Sequence, residues 1–142
     1  MVKRLKLYNS LTSRKEEFVP HNHENIRMYV CGPTIYSNPH LGNARSTVVY
    51  DLLYRLLKEN YPKVTYVRNI TDIDDKINAA AIERKISIQE LTSEVREEFN
   101  SDMIELCNLQ PDIEPSALDN IVDIIKLIEL LVARKHAYVS NG

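Results

Sequence analysis

The stretch Arg27-Met28-Tyr29-Val30-Cys31-Gly32-Pro33-Thr34-Ile35-Tyr36-Ser37-Asn38-Pro39-His40-Leu41-Gly42-Asn43-Ala44-Arg45 decides the fold. Its first five residues read as a short strand, stopped by Gly32-Pro33. A polar loop follows. Beyond it, Ala44, Val48, Leu52 and Leu56 recur at steps of four, with Val49, Leu53 and Leu57 alongside. That pattern predicts a helix ending near Asn60, ahead of Pro62, with this apolar stripe as its inner face. Lys63 to Ile70 is rich in β-branched and aromatic residues and reads as a second strand. Strand, helix and strand in about 45 residues make a βαβ unit, with a parallel pair and a right-handed crossover. The fold class is α/β.

Upstream, residues 4 to 8 and 15 to 18 are expected to form a small hairpin. Downstream, Thr71-Asp72-Ile73-Asp74-Asp75-Lys76 is a turn opening another helix, its aspartates capping and complementing the dipole. Ser87-Ile88-Gln89-Glu90 has the pattern of a capping box for the next helix, whose expected face is Ile88, Leu91, Val95 and Phe99. The Pro111 to Pro115 linker breaks it. A last helix starts near Ser116, with Ile121, Val122, Ile125, Ile128 and Val132 on one side. His136 to Val139 reads as a strand and Ser140-Asn141-Gly142 as a hairpin turn with no return strand. With only one βαβ pair for a sheet, this leads us to expect the first part of a longer protein, divided at residues 1–85 and 86–142.

The 142 residues are 44% apolar and 27% charged, with a formal net charge of -2, which suits a globular domain with a real core. No apolar run is long enough to draw a transmembrane helix, and no apolar stretch follows the basic N-terminus, so a cytoplasmic protein is expected. Two cysteines are too few for a disulfide framework. Near-neutral charge argues against holding nucleic acid by bulk electrostatics alone.

Ligands of open α/β sheets sit beyond the carboxyl ends of the strands. Cys31 to Asn43 and Asn69 to Asp75 leave such ends. The first segment leads into a helix N-terminus, which favours phosphate; Gly42 gives a flat ligand room to approach, and His40 can donate to charge developing on a phosphorus-bound oxygen. Other candidates have plainer readings. His21 and His23 are read as solvated loop residues, and Cys107 as a small buried apolar residue. Glu94, Arg96, Glu97 and Glu98 read as a solvated helix face.

Cys31-Gly32-Pro33-Thr34, Pro39-His40-Leu41-Gly42-Asn43-Ala44-Arg45 and Arg68-Asn69-Ile70-Thr71-Asp72-Ile73-Asp74-Asp75-Lys76-Ile77, taken in order, resemble the cysteinyl-tRNA synthetases, a class I synthetase family. Asp112-Ile113-Glu114-Pro115 also resembles that family. The resemblance implies the first half of a Rossmann-like (HUP-type) nucleotide-binding fold, followed by a helical C-terminal half leading into an inserted region. It implies activation of L-cysteine with ATP and Mg²⁺ and transfer to tRNA(Cys), by an enzyme that is a monomer at full length. His40 to Asn43 stands at the position of the class I HIGH signature, which gives His40 and Asn43 catalytic roles. Gly32, Pro33, Thr34, His40, Leu41, Gly42, Asn43 and Ser46 are then expected at ATP and the adenylate. Cys31, Thr34, Asn69 and Thr71 are expected at the cysteine. Cys31 is the expected first ligand of a Zn²⁺ whose other ligands lie beyond residue 142, so these residues alone are expected to be nearly inactive.

Zinc answers a physical problem, because cysteine and serine are nearly isosteric and only the sulfur is a good ligand. The sequence departs from the family at Asn43, at Asn120 where a His is expected, and at Leu118. The KMSKS signature and an anticodon-binding domain are not found in it. Two other readings are a cysteine ligase of mycothiol synthesis, which shares these motifs, and a non-catalytic nucleotide-binding module. A dinucleotide-binding enzyme is disfavoured, since no G-x-G-x-x-G follows either strand.

Overall fold

A computed structural model describes residues 5–140. Arg4 of the expected hairpin, and Asn141 and Gly142 of the expected turn, lie outside the described residues. Strand β1 (Lys6–Asn9) pairs antiparallel with β2 (Arg14–Glu17), Lys6 opposite Glu17, as the sequence predicts.

The central pair is β3 (Ile26–Val30) and β4 (Val64–Arg68), parallel and in register from Ile26–Val64 to Val30–Arg68. Helix α1 (Leu41–Asn60) connects them. Alternation along β3 buries Ile26, Met28 and Val30 and exposes Arg27 and Tyr29, the pattern of a strand packed on one face. The buried set joins Val64, Tyr66, Tyr54 and Leu57 in one core cluster, with Phe18 and Tyr61 packed at its edge.

Helix α1 is turned from the predicted stripe. Leu57 is buried and Leu53 packs at the core as expected, but Val48, Val49, Leu52 and Leu56 are exposed, Leu52 by 67%, while Asp51 and Tyr54 are buried. Towards its N-terminal half the inner side carries polar groups that are paired. Asp51 accepts from the backbone N–H of Leu109 at 2.9 Å and from Arg55 Nε at 2.7 Å. Thr47 Oγ1 donates to Met103 Sδ and accepts from Asn108 Nδ2. Tyr54 donates to Asp112 at 3.2 Å. Burial, and then the Asp112 carboxylate, raises the Tyr54 phenol above its usual value and keeps it a donor.

Helix α2 (Asp75–Arg84) is capped by Asp74, whose side chain accepts from Lys76 N. Helix α3 (Ile88–Glu105) is capped by Ser87, which accepts from Glu90 N. Leu91, Val95 and Phe99 form its buried face as predicted, extended by Met103, while Ile88 at the first turn is 45% exposed. Leu91 and Val95 join Ile35, Ile70, Ile77 and Ala81 in a second core cluster beside the carboxyl ends of the strands. Cys107 is exposed, not buried. It stands just past the end of α3 in the left-handed region (φ 58°), where Asn108 N reaches back to Met103 O, the six-to-one bond of a helix-terminating turn. The charges of α3 are not all solvated: Arg96 and Glu98 are only partly exposed.

The segment 111–117 is more than a linker. It runs parallel to β4, with bridges from Val67 to Ile113 and from Ile70 to Ser116. Arg68 N donates to Ile113 O and Ile70 N to Pro115 O. Ile113 N and Ala117 N donate to Tyr66 O and Ile70 O, and Pro115, which stands between them without an N–H, interrupts that ladder by one bond opposite the Arg68 carbonyl. Asp112, Glu114 and Ser116 alternate along it and turn to polar partners on the rest of the fold, Ser116 buried, Glu114 half-buried and Asp112 at the exposed rim. Asp112 accepts from Tyr66 N at 2.7 Å, Glu114 binds Arg68, and Ser116 Oγ donates to Asp72 at 2.5 Å. Asp72 also accepts from Leu118 N, so it caps the short 3₁₀ turn Leu118–Asn120 rather than α2.

Helix α4 (Ile121–Ala133) follows, apolar on nearly every side and with no buried residue. The predicted face of Val122, Ile125, Ile128 and Val132 is exposed. Residues 136–139 form no strand, and Tyr138 and Val139 stand in solvent. Among the described residues, no helix is long and apolar enough to cross a membrane.

Replacing Asp112 with Ala is expected to cost about 2 kcal/mol, because it removes the acceptor of the Tyr66 N–H and of the Tyr54 hydroxyl together. Asp112→Asn keeps an acceptor and is expected to cost roughly 1 kcal/mol. Urea unfolding midpoints of the two variants check the difference; equal losses would contradict it.

Candidate adenylate and amino-acid site

The two loops leaving β3 and β4 are tied to each other before either can meet a ligand. Thr71 N donates to Pro33 O at 3.0 Å, and Ile35 N donates to Thr71 O at 3.2 Å. Gly32 N donates to Asn69 Oδ1 at 2.9 Å, and Asn69 Nδ2 donates to Thr71 Oγ1 at 3.2 Å. The Asn69 carboxamide therefore spans both loops, and Thr71 Oγ1 keeps its own proton to donate. Gly32 is required by contact. A Cβ built there would lie 1.5 Å from the Asn69 carbonyl oxygen, a backbone atom that cannot step aside.

His40 is the N-cap of α1. Its Nδ1 accepts from Gly42 N at 3.0 Å, while Asn43 Oδ1 accepts from His40 N at 3.0 Å. A neutral imidazole that accepts at Nδ1 carries its proton on Nε2, so the free edge of the ring is a donor. The space that a side chain at Gly42 would need is taken by that imidazole, 2.8 Å from the position of a Cβ. The expected room for a flat ligand is filled by the histidine.

Two small adjoining hollows open here. One, of about 130 Å³, is lined by residues including Pro33, Thr34, Tyr36, His40, Asn43 and Phe99. The other, of about 110 Å³, is lined by residues including Cys31, Gly32, Pro33, Asn43, Ser46 and Arg68. Pro33, Asn43 and Phe99 belong to both, so they form the partition between His40 and Cys31. Leu41 and Gly42 are exposed beside the hollows, and Asn69 and Thr71 brace them from behind rather than lining them.

Cys31 is exposed at the end of β3. Among the described residues, no three His, Cys, Asp or Glu side chains gather where a metal could bind. A zinc site needs about three protein ligands and an open position, so the described residues supply one donor and do not make a site by themselves. His21 and His23 are exposed, His23 lying 6.1 Å from the Tyr61 ring, away from Cys31.

Arg68 is the site residue that the sequence reading missed. It is 2% exposed, it lines the Cys31 hollow, and it donates to Glu114 at 2.6 Å. A signal was present in the alternation of Asp112, Glu114 and Ser116, which is strand-like despite the flanking prolines.

A parallel strand pair, a histidine-capped helix and paired hollows beyond the strand ends make up the candidate site, at the end of an α/β sheet where ligands of such folds bind. Residues 17–142 match the family described as tRNA synthetases class I (C) catalytic domain, and the chain belongs to that family. It is 53% identical over 136 residues to the cysteine–tRNA ligase of Granulibacter bethesdensis, covering 96% of this chain and 29% of that protein. The corresponding figures are 54% over 138 residues (97% and 31%) for the cysteine–tRNA ligase of Acidiphilium cryptum. For that of Wolbachia pipientis from Culex pipiens they are 55% over 137 residues (96% and 30%). The chain thus spans less than a third of the length of these curated relatives.

Gly32→Ala is expected to force β3 and β4 apart at their carboxyl ends and to lower stability by about 3 kcal/mol, the upper end for inserting one carbon into a packed site. Thermal unfolding checks this, and a variant that melts with the parent would show that the contact can relax.

Proposed function

We propose that this sequence belongs to a cysteine–tRNA ligase, which activates L-cysteine with ATP and transfers the cysteinyl group to tRNA(Cys). The supporting observation is identity above one half, over nearly the whole chain, to proteins of that name. In this reading residues 1–85 carry the first half of a Rossmann-like catalytic domain, and residues 86–142 lead into an inserted helical region. The enzyme is cytoplasmic and works as a monomer.

In the first step the cysteine carboxylate attacks the α-phosphorus of ATP, cysteinyl adenylate forms, and pyrophosphate leaves, with Mg²⁺ on the phosphates. His40 donates from Nε2 to a phosphate oxygen as charge grows there, its ring held by Gly42 N. Asn43 serves by locking the backbone of His40. The N–H groups at the start of α1 favour the same anion. Gly32, Pro33, Thr34, Leu41 and Ser46 surround the adenylate, while Thr34, Asn69 and Thr71 order the amino-acid end. Cys31 would be one ligand of a Zn²⁺, whose remaining ligands these residues do not supply. Zinc, when bound, supplies preference for sulfur over oxygen. In the second step a 3′-terminal hydroxyl of tRNA takes the cysteinyl group and AMP leaves.

Cysteine-dependent ATP–pyrophosphate exchange by the natural gene product tests this. Exchange is expected with cysteine and not with serine, and His40→Ala is expected to lower it by about 10²–10³-fold, the usual loss for one transition-state donor. Gly42→Ala is expected to reduce exchange by displacing the imidazole while leaving the melting temperature close to the parent's, since the gain in helix propensity offsets the lost cap. Charging of tRNA rather than glucosaminyl-inositol distinguishes the ligase from its mycothiol counterpart. No exchange with cysteine, or equal exchange with serine, overturns the assignment.

A further inference from the structure

Arg68 poses a question that the fold alone does not answer. Taking two charges out of water is costly, and a buried ion pair exchanged for well-packed apolar residues is often no less stable. Arg68 is nevertheless almost wholly buried at the end of β4. Its Nε and Nη2 donate to one oxygen of Glu114, at 3.2 and 2.6 Å, and its guanidinium lies 5.1 Å from the centre of the Phe99 ring. The other Glu114 oxygen accepts from Arg96 Nη2 at 3.2 Å. Arg96 is 42% exposed along its side chain and is the outer member of the group.

Location supplies the answer. The arginine lines the hollow that holds Cys31, Gly32 and Ser46. Its Cγ stands 3.4 Å from where a Gly32 Cβ would be, on the side where the Asn69 carbonyl also lies, so stem and carbonyl together fill the face of Gly32 that a side chain would need. Gly32 N is bonded to Asn69 Oδ1. Arg68, held by Glu114, and Asn69 thus converge on Gly32, the residue next to the Cys31 thiol.

We propose that Arg68, oriented by Glu114, is a positioning residue of the cysteine subsite. With the Asn69 carbonyl it closes the face of Gly32 that a side chain would need, at the wall of the hollow that holds Cys31, and so sets where the thiol stands. This rests on the ligase reading above, and it also ties the subsite to the segment that leads into α4.

The test uses the natural gene product and its variants Glu114→Gln, Arg68→Lys and Arg96→Ala, with melting temperatures recorded beside kinetics. Glu114→Gln and Arg68→Lys are expected to raise KM for cysteine about tenfold, the lower end of what a charge-assisted hydrogen bond carries, and to leave KM for ATP unchanged. Arg96→Ala is expected to leave both near the parent's values. Where Glu114→Gln melts early, Arg68→Lys carries the same readout, because it keeps the charge and loses the two-pronged grip. Alkylation of Cys31 by iodoacetamide, followed by peptide mass, needs no activity and is expected to be faster in both variants. An unchanged KM for cysteine in a folded variant, or an equal rise in KM for ATP, overturns the proposal and leaves Arg68 a brace. Should the parent show no cysteine-dependent exchange, the ligase reading fails by itself. The alkylation rate then decides this proposal, an unchanged rate overturning it.

Discussion

A hydrogen atom at Gly32 is what the rest of the site depends on. Parallel strands β3 and β4 can converge at their carboxyl ends only because the Gly32 backbone comes against the Asn69 carbonyl with no carbon between them. From that closure follow the Gly32–Asn69 and Thr71–Pro33 hydrogen bonds, and from those the two shallow hollows that place Cys31 and His40 on either side of Asn43. Steric fit at one position therefore does the work that a longer, better-covered sheet would otherwise share.

The second determinant is electrostatic. Residues 108–118 bring Asn108, Asp112, Glu114 and Ser116 against α1, β4 and the loop at Asp72, so a segment with almost no regular structure is held by paired polar groups. Buried polar pairs of this kind are demanding, since each partner left alone keeps its desolvation cost. They also fix register more sharply than oily contacts do. The alternation of Asp112, Glu114 and Ser116 matches the pleat of β4, and a slip by one residue would turn all three away from their partners.

Much of this was legible in the sequence. The strand, helix and strand of the central unit, both downstream caps and the N-terminal hairpin follow from local chemistry, and they stand where Gly32-Pro33, Pro62, Asp74 and Ser87 put them. The clearest failures share one cause. Hydrophobic periodicity assigns the whole apolar stripe of α1 to the core, yet beside Leu57 the core side carries Thr47, Asp51 and Tyr54, whose partners lie more than fifty residues away in the chain. No local count sees such partners. The same holds for Arg68, which reads as the polar end of a strand until Glu114 is folded onto it, and for the stretch between the prolines, whose strand character exists only beside β4.

The left-handed turn after α3 has a practical consequence. Cys107 occupies a backbone conformation that glycine adopts without strain, and its sulfur lies in solvent, 3.8 Å from the Glu105 carbonyl. A glycine there would ease the helix end and leave Cys31 as the single thiol of these 142 residues. A fluorophore or spin probe could then be attached at the end of β3 without ambiguity about which sulfur had reacted.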